Sequence, residues 1–188
     1  MIRTIKRLGQ IILDIFVVLV IISSIFITII TLTSNKDGVP NIMGYSPFSI
    51  QSNSMEPTFS KGDLIIDEKV DVKSLKVGDI ISYFDTVNGQ NIIKTHRITN
   101  ITEEKGFYLF NTKGDNNDVE DQTVVFDVDV VGKYANVKAL YLGYVMDFLK
   151  SKWGFLCCIV IPLTLIFISQ VIEFIKRFIE YKTEGTKK

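Results

Sequence analysis

Ile80-Ile81-Ser82-Tyr83-Phe84 follows Val77-Gly78-Asp79, and a long run from Asn91 to Ile101 follows Asn88-Gly89. These two stretches decide the fold. Each is rich in β-branched and aromatic residues, and each begins behind a turn made of glycine with Asp or Asn. That is the punctuation of strands. The same pattern recurs on both sides. Leu64-Ile65-Ile66 follows Lys61-Gly62-Asp63, Phe48 to Ser52 alternates, and Phe107–Asn111 and Val124–Val131 read as further strands. Residues 34–150 are therefore expected to form one mainly β domain, a single sheet system or barrel.

What surrounds this domain is apolar. Neither Ile15–Asn35 nor Trp153–Ile172 contains a charged residue. Each is roughly twenty residues long, enough to cross a hydrocarbon core as a helix, the conformation that satisfies its own backbone in lipid. The expectation is a first transmembrane helix over 11–33 and a second over 153–172. Asp14 falls at the inner edge of the first and is expected at headgroup level. Tyr141, Tyr144, Phe148 and Trp153 form an aromatic belt before the second. The net charge of zero hides a segregated pattern. Residues 1–10 hold three bases and no acid, residues 176–188 five bases and two acids, and residues 36–150 twelve bases against 17 acids. Basic flanks stay cytoplasmic, so both the 1–10 segment and the 173–188 tail are expected inside, with the β domain outside. This is a two-pass cell-membrane protein in outline. Cys157 and Cys158 are adjacent within the second span, so the outer domain carries no disulfide.

The chemistry-bearing residues cluster in three places. Gln51-Ser52-Asn53-Ser54-Met55-Glu56-Pro57-Thr58 puts Ser54 beside a rigid turn, since proline restricts the residue before it. A serine there is exposed and held still, and it needs a neighbouring base to become a nucleophile. In a strand, Ser52 would share a face with Ser54, where its hydroxyl and the Ser54 amide could serve an oxyanion. His96, the one histidine of the chain, lies in Lys94-Thr95-His96-Arg97. Imidazole as a class suits a general base near neutral pH. Lys94 shares the strand face of His96 by period two, and a desolvated lysine is a rival base. Last comes Lys113-Gly114-Asp115-Asn116-Asn117-Asp118-Val119-Glu120-Asp121, four acids in seven residues. As a calcium loop starting at Asp115 it fails, with Val119, Glu120 and Phe126 where Asp or Asn, Gly and Glu belong. One histidine and two intramembrane cysteines do not build a zinc site. No metal or cofactor is expected. Asn100-Ile101-Thr102 is a glycosylation sequon in a host that glycosylates. No phosphate-cradling glycine loop and no outward basic patch supports a nucleotide or nucleic-acid partner.

Together, the Ser-Met-Glu-Pro core, the His-Arg pair and the Lys-Gly-Asp-Asn-Asn run resemble type I signal peptidases. More narrowly, they resemble the endoplasmic-reticulum and archaeal branch that some Gram-positive bacteria carry. Asn53 stands where members often have glycine. The resemblance implies a membrane-bound serine endopeptidase that removes signal peptides from secretory preproteins with small residues before the cleavage site. It implies Ser54 as nucleophile, His96 as base and Ser52 in the oxyanion site. Asp115 and Asp121 are both acids the family uses. Asp121 is favoured as the partner of His96, with Asp115 in support. Membrane lipid and the translocon are the further partners implied. The alternative is a two-span protein without enzymatic activity that displays a β domain as a receptor or assembly factor. A self-cleaving repressor protease is a second rival, against which the two spans count.

Overall fold

The computed structural model describes residues 15–25, 28–29, 32–33, 38–87 and 89–185. Contacts divide the chain into one unit, Ile30–Asp147, and another made of Met1–Ile29 with Phe148–Lys188.

The first unit is a seven-stranded antiparallel sheet: β1 Tyr45–Ser49, β2 Leu64–Glu68, β3 Ile80–Val87, β4 Gln90–Glu104, β5 Phe107–Lys113, β6 Val125–Phe126 and β7 Val130–Ala139. Their spatial order is β1-β2-β7-β3-β4-β5-β6, so β7 is inserted between β2 and β3. The glycine-aspartate pairs explain where two strands begin. Gly62 and Gly78 both have positive φ, +90° and +95°. After each, the aspartate binds back to the residue three before it. Asp63 Oδ2 accepts from the Ser60 amide at 3.0 Å, and Asp79 Oδ2 from the Lys76 amide at 2.9 Å. Each turn closes its own hydrogen bonds and releases the chain into a strand. Between β4 and β5, Lys105 and Gly106 both have positive φ, as a tight two-residue hairpin requires.

Two clusters fill the unit. One contains Leu75, Ile81, Tyr83, Ile98, Phe110 and Val125. The other contains Ile50, Met55, Phe59, Ile65 and Ile80, with the Phe59 ring edge-on to Tyr134 at 4.8 Å. Each large side chain buried this way is worth roughly 1.5–3 kcal/mol.

Several expectations are corrected. The strand expected over Val124–Val131 is broken by a 3-10 turn at Asp127–Asp129, where the Asp127 side chain accepts from the Val128 amide at 2.8 Å. The sheet pairing resumes as β7 and runs to Ala139, eight residues beyond Val131. The alternating run Phe48–Ser52 is a strand only to Ser49. Ser52 and Ser54 lie in a bend and turn, because Gly62 N–H takes the Ile50 carbonyl and the chain then curls around buried Met55.

In the second unit, Ile15–Ile25 is a short apolar helix, α1. After α2 (Leu142–Lys150), α3 (Lys152–Phe155), a π-helical turn at Leu156–Val160 and α4 (Ile161–Gly185) follow in succession. Taken together, Lys152–Tyr181 holds an 18-residue window with a mean hydropathy of 2.6 and, among the described residues, is the one helix long and apolar enough to cross a membrane. It outruns the expected 153–172 segment at both ends. The expected first span over 11–33 falls partly outside the described residues, as do the 1–10 segment, Asp14 and Asn88.

Candidate active site

Ser54 sits in a tight turn whose next residue, Met55, is buried, as is Phe59, which returns an amide bond to the Met55 carbonyl at 2.9 Å. Burying two apolar side chains on one side of the turn leaves the serine facing the other. The acidic loop latches the turn from outside. The Asn116 amide donates to the Ser54 carbonyl at 2.9 Å, and Asn116 Nδ2 donates to the Asn53 carbonyl at 3.2 Å. Gly114 makes this approach possible, since a Cβ there would stand 2.5 Å from the Ser54 carbonyl oxygen. Asn53 also accepts from the Lys61 amide through its side chain at 3.0 Å.

His96 projects from β4 and is 4% exposed. Its Nε2 lies 3.0 Å from Ser54 Oγ, and its Nδ1 lies 2.6 Å from Asp121 Oδ2. Ser52 Oγ is 3.1 Å from Ser54 Oγ. The four side chains thus form one continuous hydrogen-bonded line. A serine, an imidazole and a carboxylate in this order can pass a proton from the hydroxyl to Nε2 while the carboxylate fixes the Nδ1–H tautomer.

The Asp121 carboxylate is held from several sides. Besides His96, Oδ2 accepts from Thr112 Oγ1 at 2.7 Å and Tyr83 Oη at 3.0 Å. Burial, the largest single influence, pushes its pKa up. Donation from His96 and Thr112, with the charges of His96 and Lys94, outweighs it and leaves the carboxyl below its ordinary value. Burial likewise pushes the Tyr83 phenol up, so it remains a donor.

Asp115 is not brought to His96. It takes a two-pronged bond from Arg97 and a further one from Thr58 Oγ1. Donation by Arg97 comes first among the influences that hold its pKa below the carboxylate range, ahead of the opposing effect of burial. Lys94 pairs with Asp85.

A cleft of about 430 Å³ opens over the serine, walled by Ile50, Ser52, Ser54, Met55, Ile93 and His96 among others. A larger one, about 1010 Å³, lies between the β3–β4 ends and residues 123–129 and contains neither Ser54 nor His96. The chemistry decides in favour of the smaller. Among the described residues no cluster of three or more His, Cys, Asp or Glu could hold a metal.

Sequence reasoning missed Tyr83, Thr112 and Asn116. Tyr83 reads as an ordinary aromatic of a buried strand, and only cross-strand geometry shows where its hydroxyl ends. Thr58, Arg97 and Asn116 had a signal, since each lies inside one of the singled-out stretches.

Residues 6–98 match the family model "Signal peptidase, peptidase S26", a span that includes Ser52, Ser54 and His96 but stops short of the acidic loop. The chain is 37% identical over 131 residues to signal peptidase I W of Bacillus subtilis, covering 69% of this chain and 62% of that protein. It is 34% identical over 111 residues to the signal peptidase complex catalytic subunit SEC11 of Scheffersomyces stipitis, covering 59% of this chain and 63% of that one. Human SEC11C is 34% identical over 119 residues, covering 57% of this chain and 60% of the human protein. The chain thus spans about three fifths of the length of these relatives. Similar at once to a bacterial signal peptidase and to eukaryotic catalytic subunits, the chain resembles type I signal peptidases of the S26 family, in their endoplasmic-reticulum branch.

Proposed function

We propose that this chain is a membrane-bound serine endopeptidase that removes N-terminal signal peptides from secretory preproteins. The observation that carries the reading is the unbroken line Ser52–Ser54–His96–Asp121, with contacts of 3.1, 3.0 and 2.6 Å. In this reading Ser54 Oγ attacks the scissile carbonyl and His96 Nε2 takes its proton. The Ser52 hydroxyl and the Ser54 amide donate to the oxyanion. As the tetrahedral intermediate collapses, the imidazolium returns the proton to the leaving amine, and the mature chain departs. Water then attacks the acyl-enzyme with His96 again as base, freeing the signal peptide and Ser54. Asp121 stabilises the imidazolium in both halves. Asp115 supports the site indirectly, through Arg97 and Thr58.

Two helices anchor the chain, over 11–33 and 153–172, with the 1–10 and 173–188 segments cytoplasmic and residues 34–150 outside. The preprotein strand lies in the cleft with small side chains against Ile50 and Met55, and the translocon delivers it. Anchoring enzyme and substrate in one membrane raises their effective concentration. A display domain without chemistry gives no reason for a nearly buried histidine bridging a serine and an aspartate. The test is Ser54→Ala in full-length protein, scored for cleavage of a preprotein in proteoliposomes. Cleavage should fall by orders of magnitude with the fold intact. Retention of more than about 10% of activity removes Ser54 from the nucleophile's role.

A further inference from the structure

Lys94 lies two residues before His96 on β4 and forms part of the wall of the serine cleft. Its register partner on β3 is Tyr83. The ammonium is ion-paired with Asp85 from the same strand and stands 4.0 Å from Asp121 Oδ1. The Lys94 side chain is 24% exposed, those of Asp85 and Asp121 only 8% and 10%, so these charges interact with limited screening. The two oxygens of Asp121 therefore have different surroundings. Oδ2 takes His96, Thr112 and Tyr83, whereas Oδ1 faces Lys94.

We infer that Lys94, clamped by Asp85, is a positioning residue whose charge steadies the second oxygen of Asp121 and so keeps the carboxylate aimed at His96 Nδ1. The inference rests on the endopeptidase reading of Ser54 and His96. Lys94 acts through Asp121 and not on the substrate. The groups around it are Asp85 and Tyr83 from β3, His96 from its own strand and Asp121 from the loop after β5. Without the ammonium, the carboxylate keeps three donors on one oxygen and loses its restraint on the other. The His96 ring then samples orientations in which Nε2 no longer faces Ser54.

The chain has one histidine, so the imidazole gives one set of signals and can be followed without substrate. The full-length protein in detergent micelles is examined by proton NMR for the low-field Nδ1–H resonance, and in parallel for preprotein cleavage. Lys94→Met removes the charge and keeps most of the unbranched stem. Lys94→Arg keeps the charge. The double variant Lys94→Met with Asp85→Asn removes the pair without leaving an unpaired carboxylate. The low-field resonance should be weakened in Lys94→Met and in the double variant, and kept in Lys94→Arg. In both charge-free variants kcat should fall about tenfold with KM little changed, the mark of lost orientation. If the double variant recovers the wild-type resonance and kcat, Lys94 only neutralises Asp85 and the inference is overturned. A raised KM with unchanged kcat overturns it too, as a substrate contact. The resonance judges Lys94 even if Ser54→Ala proves active, so failure of the endopeptidase reading is seen separately.

Discussion

Arg97 grips Asp115 with two parallel bonds, Nε to Oδ1 and Nη2 to Oδ2, each 2.7 Å. A third, from Nη1 to the Gly78 carbonyl at 2.8 Å, ties the pair to the turn that starts β3. The forked geometry commits one of the two candidate aspartates to a structural ion pair. The other is left to His96.

The two acids should therefore separate on mutation. Asp121→Asn should reduce kcat/KM by orders of magnitude, because the amide cannot hold the same histidine tautomer. Asp115→Asn should keep a measurable fraction of activity and lose stability, most at neutral pH. The carboxyl of Asp115 has a lowered pKa, so its contribution is present above the ordinary carboxylate value and is lost as pH falls through the folded one. Acid unfolding followed by circular dichroism should show its midpoint move to higher pH in Asp115→Asn. Equal inactivation by both variants would contradict the assignment.

Asp67 should behave in the opposite sense. It is wholly buried in β2 and neither carboxylate oxygen has a hydrogen-bond partner. The nearby Ser82 hydroxyl is engaged with Thr95 at 2.7 Å. Burial pushes the Asp67 pKa up to about 7, against a smaller opposing pull from Ser82. A raised carboxylate pKa means that the unfolded chain loses its proton first. Stability falls as pH rises from about 4 to about 7, by up to about 1.4 kcal/mol per unit, and is then level. Asp67→Asn should raise Tm at pH 7.5 and leave it nearly unchanged at pH 4. Equal shifts at both values would remove ionisation as the cause.

Gly114→Ala should cost activity out of proportion to its size. The added methyl would stand 2.5 Å from the Ser54 carbonyl oxygen, a backbone atom that cannot rotate away. The turn that carries Ser54 must shift, and displacements of about 1 Å in a catalytic group are enough to cost on the order of 100-fold. Far-UV circular dichroism should stay that of the wild type. Wild-type cleavage by this variant would show that the latch has slack.

Orientation in the membrane can be read with single cysteines in a background where Cys157 and Cys158 are replaced by alanine. A membrane-impermeant maleimide added to intact spheroplasts should label Thr86→Cys and leave Lys176→Cys untouched until the membrane is opened. The charge pattern motivates this, with bases gathered at both ends and acids between. An unlabelled Thr86→Cys would leave Ser54 on the side where preproteins have not yet crossed.

The strands were legible because their starts are written locally. Gly62-Asp63 and Gly78-Asp79 each encode a self-contained turn, and β2 and β3 begin where those turns let go. The break at Asp127 was not legible, since an aspartate capping its own turn leaves no trace in an apolar run that continues past it. At the site, Ser54 and His96 stood out by their boxes. The shared face proposed for Ser52 and Ser54 arises from a bend and not from a strand. What divides Asp115 from Asp121 is the reach of Arg97 across from β4, a relation that spacing along the chain does not contain.

The Asn116 latch has a consequence for the order in which this protein is made. The residue that clasps the serine turn is 63 positions later than the one whose carbonyl it binds. A nascent chain halted before Asn116 already possesses Ser54 and His96, yet it has neither the clasp nor Asp121. On the endopeptidase reading, synthesis thus completes the line from Ser54 to Asp121 only when the domain is nearly whole.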